Sequence, residues 1–408
     1  MIFRLLIIVL IVLLFSGCKK GETPSSPGNK PPIVDTSAVT IQIDASHAYQ
    51  LIYGFGGADI VEWTGDLTPD QRIKAFSPET GIGLSILRLR VPVDSSRFAE
   101  AKATVDACKS YGGIAIATVW SAPAWMKTNN STVGGKLKPS AYGAFAAYLR
   151  AFNQAIGGLT AISPTNEPNI QVDYESMQMT ASDVADFVAA EGDSCGAPIM
   201  APEPYNMDQT FINAYLNNSD AKAKTKFICG HIYGATPYPL SVDKPVWMTE
   251  HFTNSNVSGD DWSNAMQAAK EINDCMNAGW GAYVWWYIRR SYGPIGENGQ
   301  IQKIGYVMAH YARYVRPGYV RIDCTANPES NIYATAYTNS AKIVVVVINQ
   351  RHDDIYQRFT LNGAQVTKLI HYYTNASSNF VADSSAVNSQ FGIVLPALSV
   401  NTIILSHL

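Results

Sequence analysis

Between residues 51 and 286, eight apolar runs of strand length alternate with stretches of helical periodicity. This alternation is typical of a parallel sheet wrapped by helices, and eight strands close a (β/α)8 TIM barrel. A composition of 47% hydrophobic and 15% charged residues suits so large a core. Helices are predicted at residues 139–155 and 262–278, among others. The predicted strands are 51–57, 84–91, 114–120, 159–166, 197–201, 227–233, 246–250 and 281–286.

After residue 317 the pattern changes to short strands separated by Asn, Gly and Ser turns. It predicts an attached antiparallel β-sandwich over residues 318–408, beside a barrel over 51–317. An alternating strand at 39–44 precedes the barrel and cannot close it, so residues 39–50 are expected to join the side domain. The predicted side-domain strands are 320–323, 332–338, 342–349, 357–361, 366–373 and 400–405.

The first residues are typical of a targeting segment. Arg4 precedes an apolar run over 5–15 that is too short to span a membrane, and Ser16-Gly17-Cys18 follows. The segment is similar to a bacterial lipoprotein signal, in which cleavage leaves Cys18 as a lipidated N-terminus; an ordinary secretory signal is the alternative. Residues 19–38 predict a flexible tether. We expect an outer-membrane, cell-surface or periplasmic lipoprotein whose only membrane attachment is the lipid anchor.

Charge and cysteine usage argue against several classes of protein. The net charge of −3 offers no clustered basic face, which a nucleic-acid partner requires. Five cysteines beyond Cys18 are scattered without Cys-x-x-Cys spacing, so a disulfide framework or zinc site is not expected, although one bridging pair stays open. We expect no metal or cofactor, and a monomer. These cysteines, predicted as buried small hydrophobes, are Cys108, Cys195, Cys229, Cys275 and Cys324.

Two of the predicted strands end in a glutamate: Glu167 in Asn-Glu-Pro and Glu250 in Thr-Glu-His. Active sites of TIM barrels lie at the carboxyl ends of the strands, so these carboxyl groups are expected to meet there. A pair of carboxylates is the machinery of glycoside hydrolysis, and a retaining pair lies about 5–5.5 Å apart. Taken alone, each glutamate is as well explained by a turn or a satisfied strand end.

Other polar and aromatic side chains are predicted at the same strand ends. Asn166 could bind a sugar hydroxyl, and Tyr233 is placed to donate a hydrogen bond to Glu250, with His231 also in reach. Aromatic rings at a barrel mouth stack on sugar faces. Because strand side chains alternate, at most one of Trp285 and Trp286 faces the site. The further aromatic candidates are Trp120 and Trp125.

Seven segments, read in order along the chain, carry a resemblance to a known family. The chain resembles glycoside hydrolase family 30, specifically the bacterial glucuronoxylanases, from about residue 51 to the C-terminus. The segments are GFGG (54–57), LSILR (84–88), WSAPAWMK (120–127), NEP (166–168), TEH (249–251), WWYIRRSYGP (285–294) and RPGYVR (316–321).

This resemblance implies a retaining enzyme with Glu167 as acid/base and Glu250 as nucleophile. It also implies endo-cleavage of β-1,4-xylan at chains that carry glucuronic or 4-O-methylglucuronic acid. The family's carboxylate-binding arginine maps onto Arg290, and a guanidinium suits a carboxylate by bidentate hydrogen bonding. The residues that match this arginine's neighbours are Ser255, Trp286, Tyr287 and Tyr292.

Two positions depart from the pattern of these relatives. Phe252 stands where they usually have a tyrosine that touches the uronic acid, and Asn169-Ile170 stand where an aromatic residue usually follows Asn-Glu-Pro. The first predicts a weaker dependence on glucuronate and the second a weaker stacking subsite. The alternatives are a side-chain-independent xylanase, a β-1,6-glucanase, or a surface glycan-binding protein without catalysis.

Overall fold

Eight parallel strands form a closed barrel in the structure, a computed structural model that describes residues 39–406. The strands neighbour one another in chain order, and β9 closes on β2. All eight predicted barrel strands are confirmed, with bounds that differ by a few residues. They are β2 (Gly54–Ala58), β3 (Ile86–Arg90), β4 (Ile114–Thr118), β5 (Ala161–Ser163), β6 (Ile199–Pro202), β7 (Thr225–His231), β8 (Val246–His251) and β9 (Ala282–Tyr287).

The barrel strands read as continuous apolar runs because helices cover one face and the packed interior covers the other. Inside the barrel, Trp247 stacks on Phe227 with ring centroids 3.8 Å apart, and both are buried. The glycines of β2 permit close strand approach: a Cβ on Gly56 would lie 2.1 Å from the Ile86 carbonyl oxygen. The interior is therefore a packed core that supports the mouth above it.

Helices on the outside of the barrel connect most of the strands. The predicted helix at 139–155 is a short 3-10 turn, Pro139–Ala141, followed by α4, and the one at 262–278 is α8. Residues 232–245, all of them described, connect β7 to β8 without a helix. The α-helices are α1 (Val61–Thr64), α2 (Pro69–Phe76), α3 (Lys102–Ser110), α4 (Tyr142–Ala155), α5 (Ala181–Glu191), α6 (Gln209–Leu216), α7 (Ser219–Lys224), α8 (Trp262–Asn277) and α9 (Lys303–Ala312).

The side domain is a nine-stranded sheet in the order β15-β14-β17-β12-β11-β10-β1-β13-β16. All neighbouring pairs are antiparallel except β1 and β13, which run parallel. The N-terminal strand β1 lies between β10 and β13, as its position in the sequence predicts. The strands are β1 (Ile41–Leu51), β10 (Val320–Cys324), β11 (Ile332–Thr338), β12 (Lys342–Asn349), β13 (Ile355–Asn362), β14 (Lys368–Thr374), β15 (Val381–Ala386), β16 (Gln390–Leu395) and β17 (Ser399–Ser406).

Strands from distant parts of this sheet share one apolar core. Phe359 and Leu361 of β13 pack in the same cluster as Leu369 of β14 and Leu405 of β17. The sheet must therefore curl until its two halves face each other, as the layers of a β-sandwich do. The inner faces are buried because these strands alternate or run continuously apolar.

Some of the sequence predictions concern residues outside those that the structure describes. The signal segment at 1–18, its lipidated Cys18 and the tether at 19–38 are among them. Within residues 39–406, no helix is both long enough and apolar enough to cross a membrane. The five cysteines in that range are all buried and carry free thiols, so none of them forms a disulfide.

Candidate active site

The two predicted glutamates meet at the mouth of the barrel. Glu250 is the second-to-last residue of β8, and Glu167 lies shortly after the end of β5 and has a φ of 47°. One carboxylate oxygen of each glutamate and a ring nitrogen of His231 lie within 4.8 Å of one another. This spacing agrees with the about 5–5.5 Å between the carboxyl groups of retaining glycosidases.

A cavity of about 460 Å³ opens above this pair. Glu167 and Glu250 are each 6% exposed, so both residues line the cavity while most of each residue is shielded from water. A cavity of this size accepts one or two sugar rings and leaves a longer chain to extend along its rim. Its lining residues are Trp63, Trp120, Asn166, Glu167, Tyr174, Tyr205, Tyr233, Glu250, Phe252 and Trp286.

Arg88 of β3 lies beneath the pair and is fully buried. Its Nη1 donates to Glu250 Oε2 at 2.6 Å, and its Nη2 donates to Asn166 Oδ1 at 2.7 Å and to Glu203 Oε1 at 3.1 Å. The guanidinium also lies 4.7 Å from the centroid of the Trp120 ring. One arginine therefore fixes the positions of side chains from three other strands.

Two donors orient the carboxyl group of Glu250. Tyr233 donates its hydroxyl to Oε1 at 2.8 Å, as its place in the sequence predicts, and Arg88 donates to Oε2. Burial raises the pKa of the Tyr233 hydroxyl well above its usual value, and the neighbouring Glu250 carboxylate raises it further. Tyr233 therefore stays protonated and keeps donating. An oriented, ionised carboxylate is what nucleophilic attack requires.

Glu167 has the opposite environment. Burial raises its pKa above the usual range, while the hydrogen bond to His231 works against that rise. His231 Nδ1 lies 2.8 Å from Glu167 Oε1. A carboxyl group whose pKa is raised by burial is the kind of group that serves as a general acid.

Aromatic side chains form the walls of the cavity. Trp120 and Trp286 lie 5.7 Å apart between ring centroids, with Trp63 against both, and Tyr205 stacks on Tyr233. Trp285 is buried in the core, so the alternation predicted for this tryptophan pair is observed. Trp125 is 61% exposed and does not line the cavity.

Apart from Trp286, which lines the cavity, the residues expected around a uronic acid lie beside the cavity. Arg290 has its Nη1 3.5 Å from Glu297 Oε1, and its guanidinium lies 5.5 Å from the Tyr287 ring. Tyr292 packs against Phe252, a lining residue, at 5.2 Å between centroids, and Ser255 is exposed. These residues form a rim next to the mouth, which a substituent on the bound chain could reach.

The sequence reasoning did not assign a role to several residues that the structure brings to the site. Glu203 follows a strand and precedes a proline as Glu167 does, so the same pattern could have identified it. Arg88 was visible only as part of a family segment. Trp63, Tyr174 and Tyr205 come from connecting segments with no strand signal to place them.

A metal ion does not fit the donor set of this cluster. Glu167, His231 and Glu250 could in principle supply three ligand atoms. However, Arg88 donates to Glu250, and the two ring nitrogens of His231 face Glu167 and Glu203. A guanidinium bonded to one of the proposed ligands would repel a cation. The arrangement suits proton transfer and nucleophilic attack instead.

Sequence comparison identifies relatives that extend over nearly the whole chain. The glucuronoxylanase XynC of Bacillus subtilis (strain 168) is 35% identical over 398 residues, which cover 92% of this chain and 93% of the relative. The chain belongs to glycoside hydrolase family 30. It is therefore a glycoside hydrolase. No protein-family model matches the chain.

Solved structures of this family share the fold. A glycoside hydrolase family 30 subfamily 8 xylanase from Clostridium acetobutylicum has a TM-score of 0.84 and 32% identity, covering 90% of this chain and 99% of its own. A family 30 endoxylanase from Clostridium papyrosolvens has a TM-score of 0.82 and 29% identity, with 90% and 100% coverage. An endo-β1,6-glucanase is 19% identical with a TM-score of 0.74, and that likeness concerns the fold alone.

Proposed function

We propose that the protein is a retaining endo-1,4-β-xylanase that cleaves glucuronoxylan, with Glu167 as acid/base and Glu250 as nucleophile. The observation that carries the proposal is the approach of the two carboxylate oxygens to within 4.8 Å, below the about 6.5–9.5 Å that an inverting enzyme needs for its water. The relatives named for xylan and glucuronoxylan support the choice of substrate.

In the proposed mechanism, the enzyme hydrolyses the glycosidic bond by a two-step displacement. Glu250 attacks the anomeric carbon while Glu167 gives its proton to the leaving glycosidic oxygen, which forms a glycosyl ester on Glu250. Glu167, now ionised, then takes a proton from water as that water attacks the same carbon and releases Glu250. Arg88 and Tyr233 stabilise the carboxylate that departs in this second step.

Binding of the polymer follows from the aromatic walls. Trp120, Trp286 and Tyr205 line the cavity, and sugars stack on aromatic rings through their C–H groups. The oxygen of Asn166 accepts from Arg88, which leaves its amide NH2 to donate to a sugar hydroxyl. We assign the 2-hydroxyl next to the reacting carbon to this amide.

The proposal is tested by products and stereochemistry. Glucuronoxylan, arabinoxylan, linear xylan and a β-1,6-glucan would be digested side by side, and the anomeric form of the first product read by proton NMR. We expect β-configured products from glucuronoxylan, each with a uronic acid at a fixed distance from the cut. Equal cleavage of all three xylans would favour a side-chain-independent xylanase, and activity confined to the glucan would overturn the xylanase proposal.

The variant Glu250→Gln separates catalysis from binding. It keeps the side-chain shape but removes the nucleophile, so hydrolysis should fall by several orders of magnitude while the thermal unfolding temperature changes little. Binding to xylan should persist. If Glu250→Gln remained fully active, Glu250 would not be the nucleophile.

We further propose that the enzyme acts as a monomer held at the membrane by a lipid on Cys18. One acyl-bearing terminus followed by a polar tether attaches a domain without contributing to its fold. Membrane fractionation of Cys18→Ala tests the anchor. The protein should leave the membrane fraction and retain its activity, and unchanged fractionation would contradict the anchor.

A further inference from the structure

Glu203 is a third carboxylate beneath the catalytic pair, and the two-step displacement leaves it without a role. It directly follows β6, is 0% exposed and has a φ of 58°. Its backbone carbonyl accepts a hydrogen bond from the N–H of Glu167 at 3.0 Å. A buried charge in a strained backbone conformation is costly, so its retention calls for a function.

Arg88, Thr118 and His231 are among the partners of the Glu203 carboxylate, and Ser163 also bonds to it. Arg88 Nη2 donates to Oε1 at 3.1 Å, Thr118 Oγ1 donates to the carboxylate at 3.1 Å, and His231 Nε2 lies 3.3 Å from Oε1. Burial alone would raise the pKa of Glu203, but Arg88 and His231 lower it below its usual value. The Glu203 carboxylate is therefore buried between the guanidinium of Arg88 and the imidazole ring of His231.

The imidazole of His231 lies between two carboxyl groups. Its Nδ1 is 2.8 Å from Glu167 Oε1, and its Nε2 is 3.3 Å from Glu203 Oε1. A neutral imidazole has a single N–H, whereas an imidazolium donates from both nitrogens. The ring is fully buried. The charged or titratable groups that face it are Arg88, Glu167, Glu203, Tyr233 and Glu250.

We propose that Glu203 is a positioning residue that keeps His231 doubly protonated, so that His231 occupies Oε1 of Glu167 and the catalytic proton resides on Oε2. The inference rests on the acid/base role proposed for Glu167. Without the Glu203 charge, Arg88 and His231 would be two cations with nitrogens 3.5 Å apart and Glu250 as their single counterion. His231 would then lose a proton.

The charge balance of the cluster holds through the reaction. In the free enzyme, Arg88 and His231 balance Glu203 and Glu250, while Glu167 is protonated and neutral. In the glycosyl-enzyme, Glu250 is an uncharged ester and Glu167 is ionised, so the net charge is again zero. The proton moves from Glu167 to the leaving oxygen, and His231 keeps both of its protons. The imidazolium thereby stabilises Glu167 as the base of the second step.

Histidine NMR tests the protonation state without substrate. In protein labelled with 15N-histidine, long-range correlations would be recorded at about pH 8, where an ordinary histidine is neutral. We expect His231, assigned by its loss in His231→Phe, to be an imidazolium in the wild type. Burial lowers the pKa of His231, but Glu250 first, and then Glu167 and Glu203, raise it to about 9. A neutral His231 in the wild type would overturn the inference.

The variant Glu203→Gln should convert His231 to the neutral form at the same pH. Glu271→Gln is the matched control, because Glu271 makes an equivalent bond to His251, 2.8 Å from its Nδ1, and must leave the His231 signal unchanged. An imidazolium that survives in Glu203→Gln would exclude Glu203 as its counterion. If Glu203→Gln does not fold, Glu203→Asp is the alternative variant. Its shorter side chain moves the carboxylate away from His231, so the imidazolium should convert to the neutral imidazole at a lower pH than in the wild type.

The kinetics distinguish positioning from a structural role. With glucuronoxylan, kcat of Glu203→Gln should fall about 10- to 100-fold with KM within about twofold, since general acid catalysis contributes about 100-fold or more. The alkaline limb of kcat/KM should move to higher pH, because Glu167 loses its nearest cation. An unshifted limb would contradict the inference. A wild type inactive on xylan would instead refute the proposed function and leave the NMR result standing.

Discussion

At the residue scale, Glu167 and Glu203 share an unusual backbone state. Their φ angles are 47° and 58°, which residues other than glycine, Asn and Asp rarely adopt, and such strain costs about 1–3 kcal/mol per residue. Each follows a barrel strand and precedes a proline, and the two are joined by a backbone hydrogen bond. The fold maintains both strained turns because they direct two carboxyl groups toward one point.

Glu167 and Glu250 could be found from the sequence because each ends an apolar strand, and their roles stay predictions. Glu203 also ends an apolar strand, but the sequence was searched for a pair of catalytic carboxylates, and Glu167 and Glu250 already supplied that pair. Trp63 of the short helix α1 and Tyr174 of a loop could not be placed, since ion pairs with a distant residue hold both segments and no local pattern encodes those pairs. At the residue scale, the sequence therefore predicts candidate catalytic residues better than it predicts the conformation of the connecting segments.

The specificity proposed for Arg290 belongs to this scale. If its guanidinium pairs with a uronic acid, Arg290→Ala should lower kcat/KM on glucuronoxylan by about tenfold, the low end of a charge-assisted bond, because the side chain is 45% exposed. The loss should be nearly absent on unsubstituted xylo-oligosaccharides. Competition kinetics with the two substrates would measure it.

Two companion variants sharpen that test. Arg358→Ala, on β13 of the side sheet, is the control arginine and should change neither substrate. Phe252→Tyr restores a hydroxyl beside Tyr292 and should widen the gap between the two substrates. Equal losses on both substrates in Arg290→Ala would make this arginine a structural residue of the rim.

At the scale of elements, Arg90 at the end of β3 joins two segments that carry aromatic walls. It pairs with Glu62 of α1 and with Glu175 of the loop after β5. Trp63 and Tyr174 are the immediate neighbours of these glutamates, and both line the cavity. The guanidinium also lies 5.2 Å from the Trp63 ring centroid. One buried cation therefore fixes two partly exposed stacking surfaces.

We predict that Arg90→Lys raises KM for polymeric xylan about two- to tenfold with little change in kcat. A lysine keeps the charge but cannot bond both carboxylates at once, so one of the two rings is loosened, and the loss of about 0.5–1.5 kcal/mol corresponds to about two- to tenfold in KM. Arg97→Lys is the control, because Arg97 contacts Glu62 but not Glu175. A fall in kcat with unchanged KM would indicate disturbance of the catalytic pair instead.

The elements also show which strands a sequence reveals. Barrel strands are buried on both faces, so each reads as a continuous apolar run and all eight were predicted. In the side sheet, β15 and β16 were missed. Both strands lie at the ends of the sheet order. β15 is exposed throughout, so no core demands an apolar pattern there and pairing with β14, rather than composition, makes it a strand. β16 places Phe391, Ile393 and Leu395 against the core of the sheet, so its alternation could have identified it.

At the scale of the whole molecule, buried polar contacts join the barrel to the side sheet. His310 of α9 lies with Nδ1 2.8 Å from Thr402 Oγ1 and Nε2 2.8 Å from Thr374 Oγ1. Thr402 donates its hydroxyl to the His310 carbonyl, so it must accept from Nδ1–H, and Thr374 then donates to Nε2. The neutral ring is fully satisfied, and burial lowers its pKa well below 6.5.

This interface predicts how stability depends on pH. The unfolded chain protonates His310 below its ordinary pKa of 6.5, whereas the folded protein does not, so the unfolded state binds more protons and stability falls as pH falls. His310 alone should contribute a slope of up to about 1.4 kcal/mol per pH unit below that value. Urea unfolding between about pH 5 and pH 7 would measure this slope.

The variant His310→Gln should be less stable at neutral pH and lose less stability than the wild type as the pH is lowered. His47→Gln is the control, because His47 is exposed on β1 and its removal should leave the slope unchanged. His310 lies between the barrel and the side sheet, so its protonation in the unfolded state opposes the folding of both. We therefore expect the barrel and the side sheet to unfold in one cooperative transition. Equal slopes for wild type and His310→Gln would show that His310 does not set the acid limit of the fold.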